Sequence, residues 1–137
     1  MKIREIIHNN ERVALIFHYS KIAPGVHFYT DASSLMQVGK QSRKKGSKIS
    51  PHRHISVELK STETQPELLY IEKGSIKVIF YDDDWKPFEE VVLLSKDMIL
   101  LIQGGHGFEI LEDTQMIEIK QGPYNPDATE RMESERS

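Results

Sequence analysis

Two histidines, His52 and His54, stand one residue apart behind Pro51 in the stretch SPHRHIS. If that stretch is an extended strand, residues i and i+2 project to one face, so both imidazoles point one way and Arg53 the other. Pro51 suits a strand start, where its missing N–H removes no ladder bond. The arrangement offers two nitrogen ligands to one metal ion. The competing reading is a pair of imidazoles on a wet loop, because an H-x-H alone is a weak signal. Two further stretches bear on the choice. In ELLYIEKG, Glu67 shares a strand face with Leu69 and Ile71, and a carboxylate facing a core must be paired, protonated or bound to a cation. In QGGHGFEI, His106 shares a face with Phe108 and Ile110, just after a turn that Gly104 and Gly105 permit. Taken singly, Glu67 reads as a strand-edge carboxylate with its head in water and His106 as a satisfied core histidine.

The elements that must position these residues are short runs rich in Val, Ile and Phe, broken by Gly, Pro, Asn and Asp. SIKVIFY alternates, with Ile76, Val78 and Phe80 on one face and Lys77, Ile79 and Tyr81 on the other, which predicts a strand. DDDW predicts a turn and FEEVVLLS the returning strand. The three aspartates read as a solvated edge device, since the rest of a calcium-loop pattern is missing. DMILLIQGGHGFEILE predicts two strands around a QGG turn, and TQMIEIKQG another strand. RVALIFHY, VHFYT and SLMQVG are further strand candidates, the first also compatible with a helical turn. Many short strands with frequent turn signals predict an all-β sandwich or barrel. The tail NPDATERMESERS is polar, and either frays or forms a short surface helix.

The chain has 137 residues, room for one domain with a real core. It carries a net charge of −3 and no cysteine. The first disfavours a nucleic-acid surface; the second excludes disulfides, thiolate nucleophiles and Cys-ligated metal sites. Any metal must be held by His, Asp, Glu, Gln and water. KQSRKKGSK, with five basic residues in nine, reads as a solvated loop, the alternative being a phosphate or acidic-ligand role. No apolar run is long enough to cross a bilayer, and the start MKIREIIHNN has no apolar signal core, so a cytoplasmic protein without membrane attachment is expected.

Taken together these residues resemble the cupin family. Gly46 is followed by five residues and then His52-Arg53-His54; Glu67 is followed by six residues and then Gly74; Asp97 precedes MILLIQGG and His106. The resemblance spans residues 36–119. It implies an all-β fold, the cupin double-stranded β-helix or jelly-roll barrel, over residues 36–120. Residues 1–35 would then be N-terminal strands or an extension packing on the barrel, and 121–137 a polar tail, with minor helical or irregular termini. It also implies a metal site of His52, His54, Glu67 and His106 for a divalent ion (Fe, Mn, Ni, Co or Zn). This sequence departs from the family pattern in three places. Twelve residues separate His54 from Glu67, more than usual, which leaves Glu58 as the alternative carboxylate. Ile102 and Gln103 stand where Pro often precedes the turn glycine, and Lys96-Asp97 replaces the usual Gly-Asp turn. Leu69, Ile71, Val78, Phe80, Leu100 and Phe108 would fill the interior. Gln37, Gln103, Glu109, Tyr70 and Tyr124 are candidates for its mouth, each with a purely structural alternative. His8, His18 and His27 read as surface or strand residues, and Trp85 as a cover over a sheet edge.

The end EDTQMIEIKQGPY is similar to small bacterial cupins associated with polysaccharide or nucleotide-sugar pathways. The leading expectation is therefore a metal-binding protein for a small polar, carbohydrate-like metabolite, with isomerase, lyase or dioxygenase-type chemistry at an open metal position. One alternative is a non-catalytic ligand-binding or sensor cupin. The other is a metal-free sugar-nucleotide isomerase or epimerase, which needs a His and a Tyr together and a phosphate clamp such as Lys44 or Lys45. The resemblance, and the need to cover open strand edges, imply a homodimer.

Overall fold

A computed structural model describes residues 2–21, 23–55, 64–122 and 125–132. Among these described residues are ten strands: β1 (Lys2–His8), β2 (Glu11–His18), β3 (Gly25–Phe28), β4 (Gly39–Ser42), β5 (Glu67–Lys73), β6 (Ser75–Tyr81), β7 (Pro87–Leu94), β8 (Met98–Leu101), β9 (Gly105–Ile110) and β10 (Gln115–Lys120). One 3-10 turn, Pro126–Ala128, capped by the Asn125 side chain, follows them. Every strand pairing is antiparallel. The strands form a five-stranded sheet in the order β1-β2-β8-β5-β10, a three-stranded sheet β7-β6-β9, and a small β3-β4 ribbon. The chain is thus all-β, and no helix among the described residues is long and apolar enough to cross a membrane.

The alternation of side chains explains how the layers pack. On the inner face of the large sheet, Ala14, Ile16, Leu69, Ile71, Ile99 and Leu101 meet Ile76, Val78, Phe80, Val91 and Leu93 of the small sheet in one buried cluster. On the outer face of the large sheet, Leu15, Phe17 and Leu100 pack with Val38, Tyr29 and Met36 in a second cluster. β2 and β8 are therefore apolar at successive positions because both their faces are covered. Leu100, expected inside the barrel, lies in this second layer: its neighbours Ile99 and Leu101 occupy the inner face and the pleat turns it outward.

After β5 the chain passes repeatedly between the five-stranded and three-stranded sheets. β5 and β6 belong to different sheets, as do β7 and β8, β8 and β9, and β9 and β10. At three of these corners a residue takes a positive φ: Gly74 (95°), Lys96 (73°) and Gly104 (85°). Lys96 takes a left-handed conformation that side chains resist and glycine adopts freely. The QGG turn expected between two adjacent strands is one of these corners, so β8 and β9 do not pair with each other. The β1–β2 hairpin turns through Asn9 and Asn10, both at positive φ (51° and 61°), as a tight two-residue turn demands.

One local expectation fails. SLMQVG is not a strand; the strand begins at Gly39, while Met36 and Val38 serve as cover for the outer apolar layer. Residues 50–55, which include HRHI, have no regular structure and are exposed. Residues 1–35 supply β1, β2 and β3, with β2 seated between β1 and β8 in the main sheet.

Candidate functional site

Glu67 and His106 come from different sheets. Glu67 opens β5, where Leu101 and Lys120 flank it in register. His106 follows the Gly104 corner on β9 and pairs with Phe80. Both lie on inner faces, in line with buried Leu69 and Ile71 on one strand and with Phe108 on the other. They meet with His106 Nε2 3.3 Å from Glu67 Oε1, and both side chains are mostly buried (28% and 18% exposed). The His106 hydrogen bond holds the Glu67 carboxyl below its ordinary range; burial acts against this, while Glu118 and Lys120 add to it.

The pair faces a cavity of about 640 Å³, lined also by Thr64, Gln65, Gln103, Lys120 and Gln121. With Thr129 and Glu130 also at its wall, amides, two hydroxyls, two carboxylates, an imidazole and a cation line a space of the size that small-ligand sites occupy. Lys120 and Gln121 were not singled out in the sequence. Lys120 arrives there because β10 pairs it with Glu67, a register that no local pattern announces.

His52 and His54 form a second pair, with ring centroids 5.3 Å apart in an edge arrangement. His52 Nδ1 lies 2.9 Å from the Ser50 carbonyl oxygen. A carbonyl only accepts, so Nδ1 carries the hydrogen and, in the neutral ring, Nε2 keeps its lone pair. The four expected ligands thus stand as two pairs. Among the described residues no group of three or more His, Cys, Asp or Glu stands close enough to hold a metal ion. As they are arranged, the described donors do not make the three- or four-ligand centre that such an ion takes from a protein. Glu58, the alternative carboxylate, lies outside the described residues, as does Tyr124.

Other candidates have structural roles. Glu109 pairs with Lys77 at 2.9 Å, on the outer face of the small sheet. Gln37 donates to the carbonyls of Asp31 and Ala32. Tyr70 alternates with the inward Leu69 and Ile71 and so points to the other side. Gln103 does reach the cavity, while its Nε2 donates to the Arg12 carbonyl at 3.1 Å. Lys44 and Lys45 are exposed, and no tyrosine among the described residues lines the Glu67–His106 cavity. His27 bonds the Ala23 carbonyl, and His8 stacks on Phe88. Trp85 lies edge-on to Tyr81 and close above Gly105, where an added Cβ would stand 3.0 Å from its ring. The aspartates after β6 form a turn in which Asp82 Oδ1 accepts from the backbone N–H groups of Asp84 and Lys86.

No protein-family model matches this chain, and neither the curated proteins nor the solved structures give a match.

Proposed function

We propose that this protein is a cupin-like binder of a small polar, carbohydrate-like molecule, which it takes up in the cavity beside Glu67 and His106. The supporting observation is the meeting of these two side chains, from different sheets, at the wall of a space rich in hydrogen-bonding groups. A carboxylate kept ionised accepts from sugar hydroxyls, and the amides of Gln65, Gln103 and Gln121 both donate and accept. A ligand hydroxyl that inserts between Glu67 and His106 would hydrogen-bond to both side chains. The repeated passage of the chain between two facing sheets is what a jelly-roll relative would have.

The test is a thermal-shift and calorimetric screen of the whole chain against monosaccharides, sugar acids and nucleotide sugars. A ligand that binds only the folded form raises the melting temperature. Glu67→Gln and His106→Ala should abolish that rise while leaving the circular dichroism spectrum unchanged. A ligand that binds both variants as well as wild type would overturn the reading.

A second reading keeps the divalent ion. The observation that favours it is His52, whose Nδ1 bond to a carbonyl leaves Nε2 as a ligand atom, the arrangement commonly found around metal-bound histidines. It requires His52 and His54 to move onto Glu67 and His106. Equilibrium dialysis against Mn, Fe, Ni, Co and Zn salts tests it: near-stoichiometric binding lost in His52→Ala supports it, and no retained metal removes it.

A further inference from the structure

We propose that a second cavity, between the β1–β2 and β6–β7 turns, is a subsite for a ligand ammonium group, so that the carbohydrate-like ligand is an amino sugar chain of two or more units. The proposal rests on the reading of the Glu67–His106 cavity given above and names the ligand class of that site. The antiparallel registers bring both cavities to one end of the sheets. There His8 pairs with Glu11, Leu101 and Lys120 with Glu67, and Tyr81 with Gly105. The second cavity measures about 480 Å³. It shares Gln103 and Gly104 with the first, so the corner between β8 and β9 is a common wall. A ligand that extends past Gln103 leaves one cavity and enters the other. Gln103 commits its Nε2 to the Arg12 carbonyl, so the amide oxygen is the atom it offers at that crossing.

The lining of the second cavity selects a cation with an organic skeleton. Glu11, Asp83 and Asp84 stand at its wall together with the rings of His8, Tyr81 and Phe88. Asp82 is spent on the turn, where its Oδ1 accepts from the Asp84 and Lys86 N–H groups. Glu11, Asp83 and Asp84 make no ion pair among the described residues. No lysine or arginine among them lines the space. A concave site walled by charges of one sign concentrates their field, and an ammonium group is drawn to aromatic faces as well as to carboxylates. The two attractions come from different residues and favour the same ligand group. A bare metal ion fits less well, because no three of the described carboxylates and imidazoles converge on one point, and ring faces offer it no donor atom. Phosphates and sugar acids are repelled. An amine carried on a hydroxyl-rich skeleton satisfies both cavities.

The test is titration calorimetry on the full chain with four probes: a glucosamine disaccharide, its N-acetylated form, cellobiose and spermidine. The glucosamine disaccharide should bind about tenfold or more tighter than the N-acetylated form and cellobiose, which keep the skeleton and lack the charge. Asp83→Asn/Asp84→Asn should remove that advantage, so that charged and neutral disaccharides bind alike. If the double variant does not fold, Glu11→Gln reports from the opposite wall and should cut the advantage in the same direction. Equal binding of charged and neutral disaccharides to wild type would overturn the proposal and leave the Glu67–His106 reading standing. An advantage that survives both variants would also overturn it. So would spermidine binding as tightly as the glucosamine disaccharide, since the skeleton would then contribute nothing. If no disaccharide binds, the Glu67–His106 reading falls, and this proposal with it.

Discussion

His18 Nδ1 lies 3.0 Å from Oδ2 of the buried Asp97, joining the end of β2 to the corner that opens β8. The same carboxylate accepts from the Tyr19 N–H at 2.8 Å and the Leu94 N–H at 3.0 Å. Asp97 is 4% exposed, so nearly all its hydrogen bonding must come from these donors.

Asp97→Ala therefore strands two backbone donors and an imidazole. Urea unfolding should show a loss of roughly 2–4 kcal/mol, with Asp97→Asn intermediate because its amide accepts through one oxygen only. A loss under about 1 kcal/mol would mean that water replaces the carboxylate.

The Glu67–His106 contact makes stability depend on acid in a defined direction. Glu67 titrates below its ordinary 4.5 in the folded chain, so on acidification the unfolded chain takes up that proton first and stability falls. The contribution is complete above 4.5 and vanishes as pH drops through the lower folded value. The difference in unfolding free energy between wild type and Glu67→Gln should be level from pH 7 to about 5 and shrink below that. A difference that grows with acid would contradict the assignment.

Gly74 turns the chain from β5 into β6 at φ +95°, and a Cβ there would stand 2.8 Å from the Thr114 Cα and closer still to two other atoms. Backbone lies among those neighbours, so the clash is not relieved by a side-chain rotation. Gly74→Ala should cost about 2 kcal/mol or more, read as a drop in the urea midpoint with an unchanged slope.

Lys96→Gly should do the opposite. It removes roughly 1–2 kcal/mol of left-handed strain and sacrifices a contact of the Lys96 ammonium 4.8 Å from the Tyr19 ring centroid, worth about 0.5–1 kcal/mol at an exposed site. Lys40 reaches the same ring at 5.2 Å, so the ring retains a cation. The net expectation is a rise in melting temperature of about a degree or two, measured by calorimetry.

Local pattern carried the strands and not their partners. Ile76, Val78 and Phe80 alternate with half-buried residues, and the β6–β7 hairpin was legible because its turn is contiguous with both strands. VALIF was ambiguous, since burial of β2 on two faces erases the alternation that marks a strand. SLMQVG misled because a segment covering an apolar layer needs apolar residues without needing a ladder. Glu67 and His106 were legible as inward-facing titratable groups, and the structure brings those two together. His52 and His54 lie in residues 50–55, which join no sheet, so no strand register fixes where their rings point. Lys120 and the Asp97–His18 tie were invisible, because both arise from registers between residues distant in the chain.

The seat of β2 in the large sheet sets the order in which the chain can mature. Its other neighbour pairs Leu15 with Leu100, so during synthesis the greasiest strand leaves the ribosome long before the strand that shields its second edge. Pairings of such long range slow folding. Nascent chains halted before β8 leave that strand with an open apolar edge, the condition in which aggregation competes with folding.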